Sequence, residues 1–254
     1  MAIHDRHKTW LETRGISADL AAKFGLETVM RDGAAWLSVP YVENGKVVNH
    51  KYRLTSEKRH QMDSGGRLTL WNHDCLLEKS DRPVVICEGE WDAMVAISLG
   101  WRAVSVPNGA PATETEDVAN AKRYEFLWNA RGLLNEVKQF ILATDDDAPG
   151  RALRADLVAL LGADRCSFVE YPFPSKDLNE ALLDAGVEGV STALTRAKPY
   201  PVKGLYRIGD FPEKGPLVQL PFGVAPLRQR MGIIPGTLTV FTGYANMGKS
   251  TVID

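Results

Sequence analysis

Cysteine is scarce in this sequence, and long apolar runs are absent. Only Cys75, Cys87 and Cys166 occur among 254 residues. No two of them form a CxxC pair and their number is odd, which argues against a disulfide framework and against a cysteine-built zinc site. Reduced thiols in a cytoplasmic setting are the expectation. No stretch approaches the roughly 20 apolar residues that span a bilayer. The opening MAIHDRHKTWLETRG lacks the apolar core of a secretory signal, so no membrane partner is expected. An excess of charge of one sign is also missing: 30 Lys+Arg against 32 Asp+Glu leave −2. A nucleic-acid partner would therefore have to meet a local basic patch. What remains is ordinary globular composition, 44% hydrophobic and 24% charged. It excludes disordered, collagenous and coiled-coil chains.

The pattern along the chain changes twice. Residues 5–14 and 17–24 read as helices, the second capped by Ser17 and ended by Gly25. Two strand-like segments, AAWLSVPYV and KVVNHKYRL, flank Glu43-Asn44-Gly45, a strong hairpin signal. Alternation along the second puts Lys51 and Arg53 on one face, expected to be polar and open. It puts His50 and Tyr52 on the other, expected to pack under the sheet. The polar stretch 55–67, with Lys58, Arg59, His60 and Arg67, reads as a loop. After Pro83, strands Val84–Cys87, Ala103–Val106, Gln139–Ala143 and Cys166–Val169 alternate with helices at 91–99, within 114–137, at 149–161 and near 178–185. Such alternation specifies an α/β fold with a parallel, Rossmann-like sheet. Functional groups then belong beyond the carboxyl ends of the strands. Residues 186–216 read as a linker, and from about 217 a further apolar, glycine-rich segment begins.

Carboxylates stand at those strand ends. Glu88 directly follows the strand Val-Val-Ile-Cys, and Asp145-Asp146-Asp147 directly follows Ile-Leu-Ala-Thr. Residues two apart on extended chain point the same way. Asp145 and Asp147 are thus expected to converge with Glu88 while Asp146 points elsewhere. Clustered carboxylates are hard oxygen ligands suited to Mg²⁺ or Mn²⁺. They would repel one another without a cation between them. Asp177, after the fourth strand, can cap the next helix or stand near a bound ion.

The segments EGEWDA at 88–93, DDDAPG at 145–150 and KDLNE at 176–180 resemble the three signatures of a Toprim domain over about 82–185. The fold is shared by bacterial-type primases, topoisomerases, OLD-family nucleases and RecR-like proteins. The resemblance implies that Glu88 is a catalytic acid/base or metal ligand, that Asp145 and Asp147 bind metal, and that Asp177 lies nearby.

The segment Gly243-Tyr-Ala-Asn-Met-Gly248-Lys249-Ser250 fits GxxxxGK[ST], a loop whose backbone amides cradle phosphates. Together with the residues before it, it resembles the opening of a RecA-like helicase of the DnaB and Twinkle type. A Toprim, a linker and then a RecA-like segment is the order of phage bifunctional primase–helicases and of Twinkle. The expected map is an α+β primase subdomain over 1–81, Toprim over 82–185, linker over 186–216, and over 217–254 the start of a helicase domain cut short. VNHKYRL resembles the strand of such primases that faces the nucleotide groove, with Lys51 and Arg53 as nucleotide or template contacts. The four-cysteine zinc domain that often begins phage primase–helicases is not present in these residues.

The resemblance implies a phage or prophage DNA primase that makes short RNA primers on single-stranded DNA from NTPs. The helicase part of the same full-length chain would act as a hexameric ring, with Mg²⁺ or Mn²⁺ and no zinc as cofactor. A replicative helicase whose Toprim region does not prime, or a Toprim nuclease, are the alternatives.

Overall fold

The computed structural model describes residues 2–57, 59–202, 220–221, 232–236, 238, 240 and 242–248. Lys249 and Ser250 lie outside the described residues. The chain divides into one compact unit over Met1–Lys203 and a second over Gly204–Asp254.

The first unit opens with helices α1 (Asp5–Glu12) and α2 (Ala18–Lys23). The Ser17 hydroxyl caps α2 by accepting from the Leu20 amide, and Gly25 follows in the left-handed region at φ 73°. Then β1 (Glu27–Arg31), β2 (Ala34–Glu43), β3 (Lys46–Leu54) and β4 (Arg59–Met62) form an antiparallel sheet in that order. The β2–β3 turn has Asn44 and Gly45 at φ 54° and 73°, the positive pair a two-residue hairpin demands.

β5 (Val84–Cys87), β6 (Arg102–Ser105), β7 (Phe140–Ala143) and β8 (Cys166–Phe168) are parallel, and the short β9 (Lys198–Pro199) closes the sheet antiparallel, in the order β6-β5-β7-β8-β9. Between them run α3 (Glu90–Ser98), α4 (Glu125–Asn129), α5 (Arg131–Glu136), α6 (Ala148–Leu161) and α7 (Leu178–Thr195). Strand residues alternate between two cores, as a sheet covered on both faces requires. Val85, Cys87, Ile141 and Ala143 pack with α3 and α7 residues such as Met94 and Leu194. Val84, Ile86, Phe140 and Leu142 pack with Leu153 and Leu157 of α6 and Phe126 of α4. Leu37, Val39 and Tyr41 of β2 enter the first core, which joins the antiparallel sheet to the parallel one.

Three segments depart from the sequence reading. Residues 59–62 of the expected loop form β4 along β3. The expected long helix within 114–137 is turns followed by the two short helices α4 and α5. The stretch expected as linker from 186 stays helical to Thr195, kinked at Gly186 with φ 66°.

In the second unit, β10 (Leu220–Pro221) pairs antiparallel with β11 (Gly232–Ile233). Gly243 and Gly248 of the phosphate-loop motif are described, with Gly248 at φ 77°.

Candidate active site

β5 delivers Glu88 at its carboxyl end. Its Oε1 accepts from the Ala110 amide at 3.1 Å, while its Oε2 is buried with no hydrogen-bond partner among the described residues. Burial pushes the Glu88 carboxyl above the usual carboxylate range; the Ala110 amide opposes this and Asp147 adds to it.

β7 delivers the second acidic loop, which turns at once into α6. A side chain at Gly150 would collide with the backbone of Asp145, so only glycine lets α6 start this close to the strand end. The Asp146 amide donates to the Lys176 carbonyl at 2.8 Å, which ties this loop to the one carrying Asp177. The Asp146 side chain turns away and pairs with Arg151 at 3.1 Å, as the alternation argument expects. Asp147 caps α6, its carboxylate accepting from the Gly150 amide at 2.8 Å. Asp177 caps α7, accepting from the Glu180 amide at 2.6 Å.

Asp92, Asp145 and Asp177 each offer a carboxylate oxygen, and these atoms lie within 4.8 Å of one another. Asp92 was not singled out from the sequence. It is buried on the first turn of α3 and accepts from the Asn179 amide at 3.0 Å. Its signal was its place in Glu88-Gly-Glu90-Trp-Asp92, four residues after a strand-end acid, where the first helical turn brings it back to the strand terminus. Asp147, expected in the trio, is held at the helix cap instead. Burial first, and then the neighbouring Glu88 and Asp177, push the Asp145 carboxyl up to about 7. Burial, then Asp177 and Asp145, push Asp92 well above the carboxylate range. Burial also raises Asp177. The donors are all hard carboxylate oxygens, crowded and desolvated, beside an unpartnered buried oxygen of Glu88. That set fits a divalent Mg²⁺ or Mn²⁺.

The trio, Glu88, Lys51, Arg53, Trp10, Arg14 and Trp91 line a cavity of about 580 Å³. Lys51 and Arg53 share a face, as expected, but the face is not open: they stand across from Val39 and Leu37 on the core side of β2. Lys51 is only 15% exposed, and its Nζ donates to Glu90 Oε1 at 2.8 Å and to the Pro107 carbonyl at 3.2 Å. Tyr41 also donates its hydroxyl to Glu90. His50 and Tyr52 lie half-buried on the opposite face rather than packed under the sheet, both bonded to Asp63 at 3.1 and 3.2 Å.

Residues 85–182 match a Toprim-like family model. The chain is 33% identical over 237 residues to the Twinkle homolog protein, chloroplastic/mitochondrial, of Arabidopsis thaliana, covering 86% of this chain and 33% of that protein. It is 31% identical over 213 residues to an Arabidopsis primase homolog protein, covering 78% of this chain and 61% of that one. It thus spans a third to three-fifths of the length of these relatives. Among solved structures, the primase fragment of the bacteriophage T7 primase-helicase protein is similar with TM-score 0.56 and 25% identity, over 72% of each chain. The RNA polymerase domain of Mycobacterium tuberculosis primase DnaG, in complex with double-stranded DNA, shares the fold with TM-score 0.59 and 19% identity, over 77% of this chain and 74% of that one.

Proposed function

We propose, from the premise that this chain carries a Toprim primase region of the Twinkle-like kind, that it joins ribonucleotides into short primers on single-stranded DNA. The observation that carries this reading is the convergence of Asp92, Asp145 and Asp177 with Glu88, Lys51 and Arg53 on one cavity. Asp92, Asp145 and Asp177 would hold a divalent Mg²⁺ or Mn²⁺. Such an ion, when bound, supplies positive charge to the triphosphate and to the charge developing as the bond forms.

The chain's own residues do the rest. Glu88 has a raised pKa and a buried free oxygen, so it suits acceptance of the proton from the attacking 3′-hydroxyl. Asp147 holds the first turn of α6 and adds its charge beside Glu88. Lys51 and Arg53 bring fixed positive charge to the opposite wall for the triphosphate. Lys51 would do so from its place between Glu90 and the Pro107 carbonyl. Single-stranded DNA and NTPs are then the partners. In a longer chain, the segment containing Lys249 and Ser250 would open a helicase part working as a hexameric ring. No zinc is expected, since the three cysteines sit on separate elements. The domain divisions near 81 and 185 and a cytoplasmic phage or prophage origin belong to the same proposal. Among the described residues, no helix is long and apolar enough to cross a membrane.

The test is incubation with single-stranded DNA, labelled NTPs and Mg²⁺ or Mn²⁺, read for short oligoribonucleotides and, separately, for DNA cleavage. Oligoribonucleotides that need both template and metal are expected. Cleavage without synthesis would identify a nuclease instead.

A further inference from the structure

Trp91 packs partly against the core, yet its indole also reaches the acidic cavity. It is the second residue of α3, between Glu90 and Asp92, and it stays half-buried at the edge of the acidic cavity. Its ring meets Trp10 edge to face, centroids 5.0 Å apart and planes at 78°. The Arg14 guanidinium covers Trp10 at 4.6 Å and is itself held by Asn179 Oδ1 at 3.1 Å. Trp10 is therefore held by both Trp91 and Arg14, and the two indoles form one wall. That wall lines the same cavity as the carboxylate trio and the cations Lys51 and Arg53. Trp91 also lines a smaller recess of about 100 Å³ with Lys51 and Arg53. A wall of indole next to two cations and a cluster of metal-suited carboxylates matches a ligand with an aromatic end and an anionic end.

Resting on the reading of this cavity as a nucleotide-joining site, we infer that Trp91, backed by Trp10, stacks on the base of the nucleoside triphosphate whose phosphates meet Lys51 and Arg53. Stacking accepts every base, because each has a π-face. That suits a site that must take whichever nucleotide the template asks for. Arg14 and Trp10 fix the wall, so little ordering of side chains opposes binding.

The two rings also join α1 to α3, so the test must separate stacking from packing. The full chain carries Lys249→Ala throughout, so that the other phosphate-binding motif is silenced. Affinities for ATP and for inorganic triphosphate, both with Mg²⁺, are measured by calorimetry. Stacking predicts that ATP binds about tenfold or more tightly than triphosphate. Trp91→Leu should bring ATP down to the triphosphate value while leaving triphosphate unchanged, and Trp91→Phe should keep most of the difference. Equal affinities before substitution, or an equal loss for both probes in Trp91→Leu, would overturn the inference. Should Trp91→Leu not fold, fluorescence decides, because all 6 tryptophans precede residue 129. ATP should quench this emission, and Trp91→Phe should remove the larger part of the quench; an unchanged quench overturns the inference. Failure of both probes to bind, with no effect of Asp145→Asn, would remove the nucleotide-joining reading itself, a result distinct from tight but base-indifferent triphosphate binding.

Discussion

The amide of Asp146 donates to the carbonyl of Lys176 across 2.8 Å. This bond fastens the loop after β7 to the loop before α7, and so brings Asp145 to Asp177. Each loop is then locked by its own helix cap, Asp147 on Gly150 and Asp177 on Glu180. Acidic residues far apart in sequence thus meet on one backbone bond that holds whether or not the carboxylates are charged, and on two caps that the charged carboxylates strengthen.

Gly150→Ala tests that geometry without touching a charge. The added methyl would collide with the Asp145 backbone, and relief requires the loop to move. Overpacking of this kind costs about 1–3 kcal/mol. The variant should remain folded with a lowered denaturation midpoint, and its Mn²⁺ affinity should fall at least about tenfold. Mn²⁺ titration beside urea melting separates the two effects, and unchanged Mn²⁺ affinity would contradict the close approach.

Asp145→Asn tests the repulsion. Without metal, removing one of three crowded acids, one whose carboxyl burial and the neighbouring Glu88 and Asp177 push up to about 7, relieves strain, so its melting temperature at neutral pH should match or exceed that of the parent. Adding Mg²⁺ or Mn²⁺ should raise the melting temperature of the parent and barely move that of Asp145→Asn. Thermal melts with EDTA and with metal read both. A lower melting temperature for Asp145→Asn in EDTA would show that the carboxylate is stabilising by itself.

Lys51→Ala should destabilise the fold as well as the activity. Its partner Glu90 is 5% exposed and would be left with a buried charge. Breaking such a pair costs about 3–5 kcal/mol. The double variant Lys51→Met with Glu90→Gln should recover much of that stability by urea melting, but not nucleotide use. Lys51→Ala with an unchanged urea midpoint would place the lysine in solvent.

His7 sets an acid limb of stability. It is fully buried, with Nδ1 2.7 Å from the Thr28 hydroxyl, and burial, followed by Arg6, pushes its pKa below 6.5. A depressed folded pKa means that the unfolded chain takes up the proton first. The contribution is therefore present above about pH 6.5 and lost as pH falls through the lower folded value. Urea midpoints between pH 7 and 5.5 should fall in the parent and fall less in His7→Gln. Parallel slopes would exclude His7 as the cause.

Much of this was legible in the sequence, for physical reasons. Val84–Cys87 and the segment ending at Ala143 are apolar runs buried on both faces, and such runs announce a parallel sheet. Asn44-Gly45 announces its turn through the positive φ it tolerates. Glu88 and Asp145 are visible because acids directly after such strands have few structural reasons to be there. The rest depended on tertiary partners. β4 is a polar segment, Arg59–Met62, that becomes a strand only by pairing with β3. The helix expected within 114–137 fails at its start because Thr115 gives both its amide and its hydroxyl to the buried Asp156, at 3.0 and 2.6 Å. Asp92 reads as an ordinary first-turn acid until α7 places Asp177 against it. Lys51 reads as exposed because alternation gives the face of a strand, not what packs on it.

Primer synthesis by paired variants tests the central claim most directly. The parent, Glu88→Gln and Asp145→Asn are each given single-stranded DNA, Mn²⁺ and labelled NTPs, and oligoribonucleotides are resolved by length. The parent should make short products that vanish without template or with EDTA. Both variants should be folded and slower by about a hundredfold or more, with Glu88→Gln still stabilised by Mn²⁺ and Asp145→Asn not. Products of equal yield from all three proteins would contradict the assignment of this cavity as the site where ribonucleotides are joined.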